Sequence, residues 1–213
     1  MIIENAGREI DHIVYCVQDL DLAMEWFEKQ TGVRPQFGGY HTSMGTKNAL
    51  VGLGGQRYLE MLAVDNNNKK IDEPRWMGVD LICKSQFTRW AIKSDQLKRD
   101  AQIINEFDDE FGQINGGQRL TSEDKLLKWE MVMPLAEPVV DLIPFMVDWG
   151  ESVVHPAENL NANVEFVSLQ FAHPKPELIQ PVFEKLGISC KIVECVKPGI
   201  FLEINTPNGV VEL

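Results

Sequence analysis

The order of elements at the start of the chain returns at its end, and this repetition constrains the fold more than composition does. Residues 10–17, IDHIVYCV, alternate as a strand does: Ile10, His12, Val14 and Cys16 fall on one face, Asp11, Ile13, Tyr15 and Val17 on the other. Asp19 then stands as the N-cap of a helix with Leu20, Ala23, Met24 and Phe27 on one stripe, ended by Gly32. Short strands are predicted over Arg34–Phe37, Ala49–Leu53 and Arg57–Val64, separated by glycines. At the other end VEFVSLQFA reads as a strand. Leu178 or Ile179 with Val182, Phe183 and Leu186 forms a helical stripe closed by Gly187, and CKIVECV, GIFLEIN and GVVEL supply three more strands. The likeness extends to residues: WFEKQTGV (26–33) resembles VFEKLGI (182–188), and NALVGLGGQRYLEML (48–62) resembles GIFLEINTPNGVVEL (199–213). Glu60 is taken to correspond to Glu212, both inside a strand close to its end. Pro181, inside the second helix, is expected to remove a hydrogen bond or shift the helix start.

A third, more diverged copy is read in the middle. RWAIKS is its strand, a helix begins near Asp95 with Leu97, Ala101 and Ile104, and GGQRLT, LLKWEMVM and LIPFMVDW are its three further strands. The predicted modules are 8–66, 75–150 and 160–213, with solvated linkers at 66–70 and 155–163. A βαβββ unit leaves one face of its sheet bare, and another copy is the simplest cover. The expected fold is therefore α+β, with repeated βαβββ modules forming curved mixed sheets around a cleft.

Composition removes several functions. The 213 residues are 44% apolar, enough for a sizeable core, and carry a net charge of -12 with a pI near 4.8. That field repels phosphate backbones and anionic lipid, and the longest basic cluster is Lys69–Lys70, so neither nucleic acid nor a membrane is an expected partner. No apolar run approaches the roughly 18 residues that span a bilayer. MIIENAGREI is too acidic and polar for a signal peptide. Four cysteines without C-x-x-C spacing, Cys16 and Cys190 among them in apolar strands, fit a reduced, cytoplasmic compartment. Neither a G-x-G-x-x-G nor a G-x-x-x-x-G-K-[ST] nucleotide cradle is present, and no G-x-S-x-G nucleophile elbow.

Polar residues inside apolar strands are the candidates for chemistry. His12 interrupts IDHIVYCV and Glu60 interrupts RYLEML. A lone buried carboxylate is costly, so Glu60 either binds a partner in the cleft or pairs with an arginine such as Arg57. His41, after two glycines, either faces a pocket or bonds its own turn; His155, before a proline, either closes the cleft or anchors a loop. Both are candidates for proton transfer, whereas His173 reads as structural. Thr46 and Asn48 read as turn residues bonding local backbone, and Trp129 and Trp149 as lining of core or cleft.

IDHIVYCVQDLDLAMEWF, GGYHTSMGTKNALVGLGGQRYLEMLAV and PFMVDWGESVVHP resemble the glyoxalase-like domain family of the vicinal oxygen chelate superfamily. That superfamily also holds glyoxalase I, extradiol dioxygenases and bleomycin-resistance proteins. The resemblance implies a divalent metal ion (Zn, Ni, Mn or Fe) held by one ligand on the first strand and one on the last strand of a module. Those positions are His12 and Glu60, with Glu212 as the symmetric partner of Glu60. It implies a metal-dependent lyase, isomerase or dioxygenase acting on a small dicarbonyl, hydroxy-carbonyl or catechol-like substrate, with Glu60 doubling as base. The alternative is a small-molecule binding or sequestering protein with a vestigial metal site. Modules of this superfamily often pair between chains, which makes a homodimer an expectation. The pairing within the chain stays open. If the first module faces the last, Ser168 stands opposite His12 and the site is His12, Glu60 and Glu212; if it faces the middle one, the matching positions fall near Arg89 and Asp148.

Overall fold

The computed structural model describes residues 8–120, 126–134, 137, 139–150, 155–161 and 163–213. The order of strand, helix and three strands occurs three times along it. The first pass is β1 (Ile10–Cys16), α1 (Leu20–Thr31), β2 (Gln36–His41), β3 (Thr46–Gly52) and β4 (Tyr58–Val64). The second is β5 (Gln86–Lys93), α2 (Leu97–Phe107), β6 (Ile114–Leu120), β7 (Leu126–Val132) and β8 (Phe145–Asp148). The last is β9 (Glu165–His173), α3 (Pro176–Lys185), β10 (Ile192–Glu194), β11 (Gly199–Thr206) and β12 (Gly209–Glu212).

Local chemistry explains the boundaries. Asp19 accepts the Leu22 N–H at 3.0 Å and starts α1; Gly32, at φ 76°, takes the left-handed conformation that ends it. The second strand runs further than the sequence predicts, from Gln36 to His41, because Gly38 and Gly39 are absorbed within it. Gly38 has a steric reason to be there, since a Cβ on it would stand 2.4 Å from Asn48 Oδ1. Helix α3 begins on Pro176 and passes through Pro181 without a break, so the proline costs a hydrogen bond and leaves the helix whole.

Eight strands form one sheet in the order β2-β3-β4-β1-β5-β8-β7-β6, and four form a second in the order β10-β9-β11-β12. The first repeat thus pairs with the middle one, through antiparallel β1 and β5. The large sheet curls until its edge strands β2 and β6 touch. Register assigns its two faces. His12 stands opposite Tyr58 and Ala91, and Ala91 opposite Phe145, so these four share the inner, concave face. Ile13 and Trp90 pair on the outer face, where the last repeat packs: Trp90 meets Phe171 at 4.7 Å and Phe183 at 5.9 Å between ring centroids. These rings are buried, and one continuous apolar core runs through all three repeats. No helix among the described residues is long and apolar enough to cross a membrane.

Candidate functional site

The pairing of β1 with β5 shifts at two points, between Ile10 and His12 and between Val14 and Tyr15, and the first shift builds the site. Ile10 pairs with Ile92 and His12 with Ala91, so Asp11 is an extra residue, the mark of a β-bulge. A bulge breaks the alternation of faces. Asp11, expected to point away from His12, instead bonds it: Asp11 Oδ1 lies 2.6 Å from His12 Nδ1. The other carboxylate oxygen, Oδ2, accepts the indole N–H of Trp149 at 2.8 Å and lies 3.0 Å from His155 Nε2. Burial alone would raise the Asp11 pKa, yet hydrogen bonds and charge from His12 and His155 outweigh it and hold the carboxyl well below its usual range.

His12 is sandwiched, with Tyr58 stacked on it at 4.7 Å and 14° and Phe145 edge-on at 5.2 Å. Its free nitrogen, Nε2, is 3.7 Å from Glu60 Oε2, too far for a direct hydrogen bond. Glu60 is placed by β4, which runs parallel to β1 with Glu60 level with Val14. Its other oxygen, Oε1, accepts the side-chain amide of Asn48 at 2.6 Å. Asn48 therefore bonds Glu60, one strand over, and not the turn it was expected to bond. Arg57, considered as a partner for Glu60, lies over the Phe166 ring at 4.7 Å. His12 and Glu60 are 4% and 3% exposed, which leaves the pair a narrow opening toward solvent.

The remaining candidates are dispersed. His155 joins the pair through Asp11, and its ring packs edge-on to Tyr58 at 5.8 Å and Trp149 at 5.4 Å. His41 is level with Thr46 and hence with Val64, four residues beyond Glu60 along β4. It lies 3.0 Å from the Thr46 hydroxyl and edge-on to Trp76 and Trp129. Glu212 is not brought to His12 and Glu60: it is exposed on β12 of the other sheet, paired with Glu203. Ser168, its repeat partner's counterpart to His12, donates to Glu203 at 3.0 Å.

In the middle repeat Arg89 faces inward beside Val14, fully buried. Its guanidinium is occupied by the carbonyls of Thr88, Glu137 and Val139. Burial lowers its pKa, burial raises that of nearby Asp141, and the attraction between the two opposes both shifts. Asp148, the other matching position, accepts the Gly150 N–H at 2.7 Å in its loop.

A cleft of ≈ 870 Å³ opens between Trp129 and Trp149, over Gly116 and Gly117, with Lys128 and Asp148 at its sides. A second hollow of ≈ 460 Å³ lies against Trp149 and His155, among Glu9, Lys93, Asp95 and Glu158. Neither is lined by His12 or Glu60. The connection is one side chain deep, because Trp149 borders both hollows and bonds the carboxylate that holds His12. Asp11 and Asn48 are the residues that sequence reasoning misplaced. Asn48 had a signal, since Thr46 and Asn48 alternate on a strand that neighbours Glu60; a bulge at Asp11 has none in alternation.

Comparison with known proteins agrees with this architecture. No curated protein matches the chain. In structure it is similar to a hypothetical protein from Staphylococcus aureus, with TM-score 0.63 and 16% identity over 95% of this chain and 97% of that one. Lower scores relate it to methylmalonyl-CoA epimerases. That of Mycobacterium tuberculosis gives TM-score 0.42 and 16% identity over 65% of this chain and 86% of the other. A Streptomyces coelicolor variant gives 0.43 and 18% over 66% and 96%. The first likeness speaks for the fold, and the last two are too distant to speak for a ligand. The model of the glyoxalase-like domain matches residues 10–187, most of the chain, and the chain accordingly belongs to the glyoxalase-like domain family.

Proposed function

We propose that this protein is an enzyme acting on a small oxygen-bearing molecule, a dicarbonyl, hydroxy-carbonyl or catechol-like compound, through His12 and Glu60 with a divalent cation. One observation carries the reading. Each member of the pair has one polar atom tied down, Nδ1 by Asp11 and Oε1 by Asn48, and turns its other atom to its neighbour across 3.7 Å without a hydrogen bond. An imidazole nitrogen and a carboxylate oxygen so placed suit Zn²⁺, Ni²⁺, Mn²⁺ or Fe²⁺. Ala91, Arg89 and Phe145 on the facing strands offer no third donor, and among the described residues no group of three or more His, Cys, Asp or Glu is arranged to hold a metal ion. The protein's share of the coordination is then two residues, with the other positions left to substrate oxygens and water.

A cation there would act as a Lewis acid toward an enediolate-type anion. Glu60 would serve as the base for the proton on the carbon next to a carbonyl, through Oε2 when that oxygen is off the cation, while Asn48 holds Oε1. Tyr58 and Phe145 keep bulk water from the imidazole. We assign His155 to holding Asp11, and His41 to the aromatic wall of the cleft with Trp129. Four free cysteines suit a reducing, cytoplasmic setting. One chain supplies both halves of the large sheet, so a homodimer would add contacts without completing this site.

Arg89 favours a second reading. It is a cation at a position in the middle repeat that a metal site would give to a ligand, as a binding protein without metal would allow. Metal content decides between the two. After purification without tag or chelator, and after adding each of the four ions in turn, we expect about one ion per chain, lost in His12→Ala and Glu60→Gln. A stoichiometry near zero with all four ions ends the metal-dependent version and leaves the binding protein.

A further inference from the structure

We propose that Asp11 is the positioning residue of this site: it fixes His12 as the tautomer with hydrogen on Nδ1 and a bare Nε2 aimed at Glu60. The functional meaning rests on the reading above, but the geometry stands without it. Two buried histidines and the half-buried Trp149 converge on a carboxylate with no exposed surface. Trp149 Nε1–H can only donate. His155 Nδ1 accepts the Ala157 N–H at 3.2 Å, which leaves the hydrogen on Nε2, so this ring donates as well. Both donations land on Oδ2. Oδ1 is left for His12 Nδ1 at 2.6 Å, and a carboxylate can only accept, so Nδ1 carries the hydrogen. Nε2 is the nitrogen that faces Glu60 Oε2 at 3.7 Å, and in the neutral ring it is bare.

The bulge gives this arrangement its origin. With regular pairing Asp11 would sit on the outer face, as Ile13 does, and His12 would have no partner for Nδ1. A histidine that ligates a cation generally donates its other ring N–H to a carboxylate, which sets its tautomer and raises its basicity. Trp149 and His155 serve as the clamps that keep Oδ2 satisfied and turn Oδ1 toward His12.

The test is the protonation pattern of the imidazoles in the whole, metal-free chain labelled with ¹⁵N-histidine, read by long-range ¹H–¹⁵N correlation. His12 is expected to show a protonated Nδ1 and bare Nε2, and His155 the reverse; a hydrogen on His12 Nε2 overturns the proposal. In Asp11→Asn the two donors at Oδ2 claim the single amide oxygen. The amide NH₂ then faces His12, whose tautomer should invert while that of His155 holds. If this variant does not fold, the spectrum of the unsubstituted chain decides. Titration with Zn²⁺ supplies the functional arm, with an expected loss of about 10–100-fold in affinity for Asp11→Asn; unchanged affinity in the folded variant overturns the role. Should the unsubstituted chain bind no ion, the preceding function fails, and the tautomers alone judge Asp11.

Discussion

Asn48 donates its side-chain amide to Glu60 Oε1 across 2.6 Å, between two strands of the concave face and with both residues buried. A buried carboxylate needs such a partner. Asn48→Ala should therefore destabilise the fold by about 1.5–3 kcal/mol, the usual cost of removing a hydrogen bond to a charged group. Urea unfolding checks it as a lower midpoint at unchanged slope. A loss below about 0.5 kcal/mol, typical of an uninvolved surface position, would mean that Glu60 finds other support.

Much of this was legible in the chain. The helix over Leu20–Thr31 followed from Asp19, its apolar stripe and Gly32, all short-range signals. The meeting of His12 and Glu60 followed from the family resemblance, which puts one ligand on the first strand of a module and one on the last; the apolar pattern alone left Glu60 an arginine as an equal alternative. Two things were not legible. Which repeat faces the first depends on the pairing of β1 with β5, a contact between residues far apart in sequence whose apolar patterns would suit either partner. Residue type gave no warning of the second. Alternation puts Asp11 opposite to His12, and only the inserted position in the ladder brings the two side chains together.

Asp11 should leave its mark on acid stability. Its native pKa is depressed, with burial opposing and the hydrogen bonds and charges of His12 and His155 prevailing. Below the unfolded carboxyl pKa of about 3.9, the unfolded chain binds more protons than the native one. Stability from this group is thus fully present above that value and lost as pH falls through it toward the native pKa. Urea midpoints between about pH 5 and pH 3 should drop more steeply for the unsubstituted chain than for Asp11→Asn. Parallel slopes would show that Asp11 is not a charged acceptor in the native state.

The four free thiols divide by burial. Cys16, bonded to the Thr88 hydroxyl at 3.1 Å, has its thiol pushed up to about 12 by burial, and Cys190 is pushed up to about 11 for the same reason. Cys83 and Cys195 are exposed. The thiolate is the reacting species, so an aromatic disulfide reagent at mildly alkaline pH should modify the two exposed cysteines promptly and the other two only on unfolding. Prompt modification of Cys16 in the folded protein would place the end of β1 nearer to solvent than the structure has it.

Gly117 and Gly116, neighbours on β6, should respond oppositely to alanine. A Cβ on Gly117 would stand 2.4 Å from two atoms of the Trp129 indole, whereas one on Gly116 would meet nothing nearer than the Trp129 carbonyl at 3.7 Å. The indole has little room to retreat, since it packs against Trp149 at 5.5 Å and His41 at 6.2 Å. Gly117→Ala should cost about 1–3 kcal/mol, the range for overpacking, and alter the near-ultraviolet circular dichroism of the tryptophans while the far-ultraviolet spectrum holds. Gly116→Ala should leave the near-ultraviolet spectrum as it is. Equal effects from the two substitutions would show that Trp129 does not lie over Gly117, and the cleft between Trp129 and Trp149 would then have a different wall.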